Sequence, residues 1–242
     1  MTADSASINL THHFLIAMPG LEDAAFAKSV VYVCEHSERG ALGLVINKPS
    51  ELSMQSLFEK VDLSLHREDL MNAPVLQGGP VHTERGFVLH DAMLVDRPSA
   101  AQDAATQDVP TDVPAEIDAE AQAQAKAEAK ALSEVSTQGD DSGQESVYAS
   151  TMTIPGGLEM TTSKDVLEAL SMGAGPKRVL ISLGYSAWGE GQLESELAEN
   201  SWLTVGADLA VIFDTPVEQR YERAMQLLGL EPWMLSNEVG HS

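Results

Sequence analysis

Residues 29–49 read SVVYVCEHSERGALGLVINKP and carry the clearest structural signal in the chain. Residues 30–33 and 41–47 are rich in β-branched and aromatic side chains, which favour strands. The polar stretch 37–40 between them ends in Gly40, as hairpin loops commonly do. The pattern predicts a β-hairpin around which the other elements are arranged.

The first strand of this hairpin ends in groups that could react. Cys34 and His36 are two residues apart, so on a regular strand their side chains would share one face. Such a pair could act as a thiolate with its base, although a free cysteine is usually an inert core residue. Two ligands fall short of the three or four that zinc requires, unless strand pairing brings His82 and His90 near. We expect no metal site and no cofactor.

Short apolar runs bounded by turn residues predict the other strands. The run RVLISL at 178–183 is apolar enough to be a central strand covered on both faces. Besides the hairpin, the predicted strands are 13–17, 75–77, 85–90, 147–154, 178–183 and 209–213.

Helical spacing and capping patterns predict four helices. They run from 54 to 61, from a cap at Thr162 or Ser163 to Met172, from 192 to 199, and from Pro216 to near Gly229. The predicted N-caps are Ser53, Thr162 or Ser163, and Thr215, the last in a capping-box pattern with Glu218. Strands and helices in this order predict a single α+β (mixed α/β) domain over residues 1–242.

Residues 98–146 differ in composition from the rest of the chain. They hold 11 acidic residues, 12 alanines, no aromatic residue and only two basic residues, Lys126 and Lys130. Such a stretch cannot bury enough apolar surface to offset the entropy lost on ordering, so we expect disorder. We interpret it as a low-complexity acidic insertion within the domain.

Composition excludes several classes of function. The chain has 37 acidic and 14 basic residues, a net charge of -23, which repels phosphate backbones. No run of lysine and arginine outweighs it, so we do not expect nucleic acid as a partner. The single cysteine fits a reducing compartment, and the apolar run 14–18 is too short for a signal peptide or a membrane span. We expect a cytoplasmic protein without membrane contact.

A serine motif raises the alternative of a hydrolase. Ser186, in GYSAW, follows a predicted strand, where a G-x-S-x-G nucleophile elbow would lie. The order Ser186, Asp214, His241 also matches the triad of α/β-hydrolases. Against this, Trp188 replaces the last glycine, His241 lies near the end of the chain, and few strands precede the serine. A thiol enzyme using Cys34 is the second enzymatic alternative.

Several motifs together resemble the YqgE/AlgH family of bacterial proteins. They are HFLIAMP, the hairpin sequence, VLQGGPV with RGFVLH, and GYSAWGEGQLESELAENSWL, in a match from residue 10 to about 230. The resemblance implies a bifurcated β-sheet with a small barrel-like part, surrounded by helices, a cytosolic location and no established activity. Some members are called transcriptional regulators, although no recognised DNA-binding motif accompanies that label. Residues 98–146 depart from the family pattern, in which the connection is usually short.

The motif positions of the family suggest one polar cleft. Its candidate residues are Cys34, His36, Asn47, Lys48, Gln77, Arg85, Tyr185, Trp188, Gln192 and Glu196. The amides of the turn 77–80 could bind an anion, and Arg85 could hold an anionic ligand or pair with a carboxylate. Trp188 could line the cleft or pack in the core.

We therefore predict a non-enzymatic binding or regulatory protein whose partner is a small molecule or another protein. A transcriptional regulator, acting indirectly or by binding DNA, is the further alternative.

Overall fold

The computed structural model describes residues 9–96 and 144–230. Its strands are β1 (His13–Ala17), β2 (Val30–Ser37), β3 (Gly40–Val45), β4 (Pro49–Ser53), β5 (Pro74–Gln77), β6 (Val81–Asp91), β7 (Leu94–Asp96), β8 (Gln144–Ser146), β9 (Thr151–Ile154), β10 (Leu158–Thr161), β11 (Val179–Trp188) and β12 (Trp202–Gly206). Its helices are α1 (Met54–Lys60), α2 (Asp165–Ser171), α3 (Gln192–Ala198), α4 (Leu209–Phe213) and α5 (Arg220–Leu227), with a 3-10 turn, Val217–Gln219, before α5. None of these helices has the length and apolar character needed to cross a membrane.

Ten strands form one curled sheet, and the hairpin lies near its middle. The order is β12-β1-β2-β3-β11-β6-β10-β9, with β5 joined to β11 and β4 joined to β5. Neighbours are antiparallel except β5 and β11, which run parallel. The mixed α/β fold with its half-barrel sheet confirms the predicted fold class.

β11 is the strand at which the sheet divides. One of its edges pairs with β6. The other edge pairs with β5 at Ser182, opposite Leu76, and then with β3 at Ser186, opposite Gly43. The register shifts at Gly184, whose φ of +71° is one that residues with a Cβ rarely adopt. The bifurcation implied by the family resemblance is therefore built around this strand.

Apolar side chains form three buried clusters on the two faces of the sheet. The first contains Tyr32 and lies beneath α4 and α5. The second contains Val31 and is covered by Leu193 of α3. The third, around Ile181, is covered by α1 and α2. Because neighbouring residues of β2 and of β11 belong to different clusters, both strands are buried on two faces.

Residues 209–213 form helix α4, so the strand predicted there is wrong. The side chain of Asp208 accepts a hydrogen bond from the Ala210 N–H and caps this helix. One edge strand of the sheet is β12, which pairs with β1 and was not predicted. A run of five apolar residues fits a short buried helix as well as a strand, and periodicity alone does not separate the two.

The other differences are at element boundaries. The hairpin, the Ser53 cap of α1 and helix α3 are confirmed. The strand predicted over 147–154 begins only at Thr151, and β10 was not predicted. The N-cap of α2 is Lys164, not Thr162 or Ser163. Before α5, the 3-10 turn follows Pro216 without a side-chain cap, so the capping box does not form.

Most of the predicted insertion, 98–146, lies outside the described residues. Its last three residues form β8, which pairs antiparallel with β7. The chain therefore returns beside the point from which it left, because β7 ends at Asp96 and β8 begins at Gln144.

Candidate functional site

A β-bulge in β2 separates Cys34 from His36. The register with β3 shifts between Val33 and Glu35, which interrupts the alternation of faces. Cys34 packs in the cluster beneath α4 and α5. His36 is paired with Ala41, a member of the cluster covered by α3, and therefore lies on the opposite face. The prediction that the two side chains share a face is wrong, and they form no thiolate–imidazole pair.

The thiol of Cys34 is a core group. It is 2% exposed, and its Sγ donates to the Tyr32 carbonyl at 3.8 Å. Burial raises the pKa of the Cys34 thiol, and the nearby charge of Glu35 raises it further. The thiol is therefore protonated at neutral pH, and a thiol in this form is a poor nucleophile.

His36 joins the segment before β1 to helix α3. Its Nδ1 accepts a hydrogen bond from the Leu10 N–H at 3.0 Å. Because a backbone N–H can only donate, the ring proton lies on Nε2, which donates to Glu194 Oε1 at 2.9 Å. Both ring nitrogens are thus engaged in contacts that hold the fold together.

Three N–H donors converge on the carboxylate of Glu196. Trp188 Nε1 and Trp202 Nε1 donate to its Oε2 at 2.9 and 2.8 Å, and Gln192 Nε2 donates to its Oε1 at 3.0 Å. The ring of Trp188 stacks on Phe26 with the centroids 5.9 Å apart, and Trp188 is only 4% exposed. These hydrogen bonds connect α3 to β11 and β12. Trp188 is therefore packed in the interior and offers little surface to a ligand.

Arg85 and Tyr185 lie in a separate group. Arg85 Nη2 donates to Thr162 Oγ1 at 3.3 Å, and its guanidinium lies 6.0 Å from the centre of the Phe87 ring. The same ring contacts Tyr185, which stacks on His82. These side chains contact one another.

Lys48 and Gln77 line one cavity, with a volume of about 270 Å³. The described residues in its lining are Ala25, Val45, Lys48, Ser50, Gln77, Gly79, Pro80, Thr83 and Leu183. We call it the Lys48 cavity. Asn47 does not line it: its Oδ1 accepts from the Val30 N–H at 2.7 Å and its Nδ2 donates to the Lys28 carbonyl at 2.8 Å.

Lys48 is the one charged residue among those lining residues. Its Nζ donates to the Ala25 carbonyl at 2.6 Å, which uses one of the three N–H groups of the ammonium. The other two have no partner in the part of the chain that the structure describes. Burial lowers the pKa of Lys48, and the charge of Asp23 acts in the opposite direction. An anion in the cavity would therefore stabilise a cation that is partly removed from water.

The glycine-rich turn 77–80 brings backbone to the same cavity. The Gly78 N–H donates to the Leu183 carbonyl at 2.8 Å and is not free. The Gly79 N–H forms no hydrogen bond within residues 9–96 and 144–230, and Gly79 lines the cavity. Its φ is +153° and a Cβ would lie 2.3 Å from the Tyr185 carbonyl, so glycine is required. Of the amides predicted to bind an anion, Gly79 is the available one.

Ser186 lies inside β11 and not on a turn after it. It is fully buried, and its Oγ donates to the Gly78 carbonyl at 3.2 Å. The predicted nucleophile elbow is therefore wrong, because the chain leaves the strand only after Trp188. His241, the third residue of the suggested triad, lies outside the described residues.

The histidines do not complete a metal site around Cys34. Across the described ranges, no group of three or more histidine, cysteine, aspartate or glutamate side chains could hold a metal ion. His90 is fully buried beside Glu159, its cross-strand partner, and His82 stacks on Tyr185.

Arg220 is a buried polar residue that the sequence analysis did not select. It is 7% exposed, and its guanidinium donates to the carbonyls of Thr215 at 3.0 Å and Ile46 at 2.5 Å. The signal in the sequence is its position four residues before Ala224, on the buried face of α5.

Comparison with known proteins identifies relatives over the whole chain. The AlgH-like family model (DUF179) matches residues 14–233. UPF0301 proteins from Paracidovorax citrulli (strain AAC00-1) and Polaromonas sp. (strain JS666 / ATCC BAA-500) are 67% and 62% identical, over 100% of both chains in each case. Because both alignments cover the whole chain, residues 98–146 lie within the matched length in both cases.

Two solved structures share the fold. The solution structure of the AlgH protein from Pseudomonas aeruginosa is 37% identical, has a TM-score of 0.61, and is matched over 98% of each chain. The crystal structure of DIP2367 from Corynebacterium diphtheriae has a TM-score of 0.55 over 90% of this chain and 86% of that one, at 15% identity, and shows the fold alone. With the family match and the full-length relatives, these likenesses show that the chain belongs to the AlgH-like family of uncharacterised function.

Proposed function

We propose that the protein is a non-enzymatic binding protein that holds a small anionic ligand in the Lys48 cavity. The observation that carries this proposal is a contrast of charge. The whole chain has a net charge of -23, yet the described lining of this cavity holds one lysine and no carboxylate. A ligand carboxylate or phosphate would find a cation in the lining, although the charge of Asp23 also acts on Lys48 from outside it.

The donors of the cavity fit one anionic group. Lys48 offers two N–H groups, Gly79 offers its backbone N–H, and Thr83 adds a hydroxyl. The volume of about 270 Å³ is close to the lower end of the range for small-molecule sites, about 300 Å³. A compact carboxylate or phosphate therefore fits better than an extended cofactor.

The state of the candidate reactive groups favours binding over catalysis. Cys34 is buried with a raised pKa, Ser186 is buried within a strand, and His36 has both nitrogens engaged. None of the three lines the Lys48 cavity. Among the described lining residues, Lys48 is the charged side chain that a ligand bound there would meet.

The experiment measures anion binding with and without the lysine charge. Inorganic phosphate, acetate and succinate are titrated into the protein at constant ionic strength, with calorimetry and thermal melting as readouts. Lys48→Met is expected to abolish binding, whereas Lys164→Met, which changes an exposed lysine before α2, leaves it unchanged. Equal binding by wild type and K48M, or no binding of any of the three anions by wild type, would contradict the proposal.

A further inference from the structure

A second, larger cavity lies between the C-terminal helices and the branch of the sheet formed by β5 and β11. Its volume is about 480 Å³, within the range of small-molecule sites, about 300–1,000 Å³. The apolar lining residues that keep some exposure include Pro74, Phe213 and Pro216. The charged lining residues are three cations and three carboxylates: Lys177, Arg178, Arg220, Asp69, Asp214 and Glu218. Among the described lining residues, none is shared with the Lys48 cavity.

Arg220 lines this cavity and has N–H groups that are not hydrogen-bonded within the described residues. A guanidinium carries five N–H groups, and two of those of Arg220 are used by the carbonyls of Thr215 and Ile46. The other three have no partner within the described residues. Arg220 lines the cavity, which is where a ligand could meet these donors.

The positive charge of Arg220 is not neutralised by a direct ion pair. In the described part of the chain no carboxylate forms a salt bridge with it, whereas Arg178 in the same wall is paired with Asp91 at 2.5 Å. Burial lowers the pKa of Arg220 to about 10, and Glu218 only partly opposes this effect. A buried cation without a partner is costly, and an anionic ligand would remove part of that cost.

We propose that this cavity binds an amphipathic anion, with its carboxylate or phosphate on Arg220 and its apolar body on Phe213 and Pro216. The planar fork of the guanidinium matches both headgroups through paired N–H···O hydrogen bonds. The apolar lining selects a ligand with a hydrocarbon portion over a bare inorganic anion.

The first test compares three probes with the same chain and different headgroups: octanoate, octyl phosphate and 1-octanol. Calorimetry on the full chain is expected to show binding of at least one anionic probe about tenfold tighter than that of 1-octanol. The tighter of the two identifies the headgroup. Equal binding of all three, or no binding of either anion, overturns the proposal.

The second test changes the charge of the wall without disturbing the fold. Arg220→Gln should abolish anion binding, but it also removes the bonds to Thr215 and Ile46, so an exposed neighbour provides the safer variant. Glu218 lines the cavity and is exposed, and Glu218→Gln should strengthen binding of the anionic probe about threefold by removing repulsion.

Glu222→Gln is the matched control, because it makes the same charge change at an exposed position that does not line this cavity. If E218Q and E222Q bind the anion alike, the headgroup does not lie beside Arg220 and the proposal fails. The K48M variant should bind the octyl probes as wild type does. Loss of their binding in K48M would place them in the Lys48 cavity and overturn this inference while leaving the proposed function intact.

Discussion

The imidazole Nε2–H of His36 donates to the carboxylate of Glu194 at 2.9 Å and so ties the end of β2 to α3. Removing each side chain should change the stability by a different amount, because that of His36 is 5% exposed and that of Glu194 is 54% exposed. We expect Glu194→Ala to lower the free energy of unfolding by about 1 kcal/mol, the usual net value of one hydrogen bond. His36→Ala should cost about 2–4 kcal/mol, since it also leaves a cavity and the Leu10 N–H without its acceptor. Urea unfolding measures both.

A double-mutant cycle on the same pair isolates their contact from the cost of the cavity. The double variant should lose less free energy of unfolding than the sum of the losses in the two single variants, by about 0.5–1 kcal/mol. Strict additivity would show that the hydrogen bond contributes nothing to stability.

The carboxylate of Glu196 should be needed to position α3. Glu196→Gln replaces one of its oxygens by an NH₂ donor, so the two indoles and Gln192 can no longer all donate to it. We expect a loss of about 1–3 kcal/mol and a red-shifted tryptophan emission as Trp188 and Trp202 gain contact with water. Glu199→Gln, at an exposed position at the end of the same helix, is the control. Identical emission spectra for the two variants would contradict this role.

Cys34 should react slowly with thiol reagents in the folded protein. Burial raises the pKa of its thiol and also blocks access to Sγ, so little thiolate forms between pH 7 and 8 and little of it can be reached. Labelling with a disulfide reagent should be complete within seconds in denaturant and slower by a factor of about 100 or more in buffer. Fast labelling of the native protein would show that β2 opens, or that the thiol is more accessible than its burial indicates.

Glu35 should make the protein less stable as the pH rises, whereas a carboxylate in an ion pair makes it more stable. Its pKa is raised by burial in the bulge of β2, with Arg39 opposing the shift. A carboxyl whose folded pKa lies above its unfolded pKa stabilises the protein when protonated, and this contribution is lost as pH rises through the folded pKa. Glu35→Gln should therefore stabilise the protein at pH 7, by less than about 1 kcal/mol for a group that is only half-buried, and give no gain near pH 4.

The control is Glu38→Gln in the exposed loop of the same hairpin. This variant removes the same charge from an exposed position. We expect no gain in stability over wild type that is present at pH 7 and absent near pH 4. If both variants respond alike between pH 4 and 7, the effect comes from net charge and not from the bulge.

The elements predicted correctly are those in which local pattern and tertiary position agree. The hairpin has β-branched strands and a polar loop, and α1 has Ser53 exactly where a cap is needed, so neighbouring residues contain the information. Helix α4 was misread because its five apolar residues suit either structure, and β12 was missed because its strand state depends on pairing with β1.

The candidate site was harder to predict for a physical reason. The single extra residue in β2 places Cys34 on one face and His36 on the other, and no residue type marks a bulge of this kind in advance. Three of the ten candidates lie in the Glu196 cluster, two in the Arg85 group, two in the lining of the Lys48 cavity and one, Cys34, in the core. His36 and Asn47 each hold backbone groups elsewhere. In the described cavities, Lys48 and Gln77 are the two candidates that share a lining. The motifs in the sequence point to polar residues, but they do not show which side chains those residues contact in the folded protein.

The strand at which the sheet branches is made late in synthesis. β11 pairs with β3, β5 and β6, and all three precede it in the chain. A nascent chain that ends before Val179 contains β1-β2-β3 and β6-β10-β9 but lacks the strand that joins them. We expect a truncation that removes β11 to leave these strand edges unpaired and prone to aggregation.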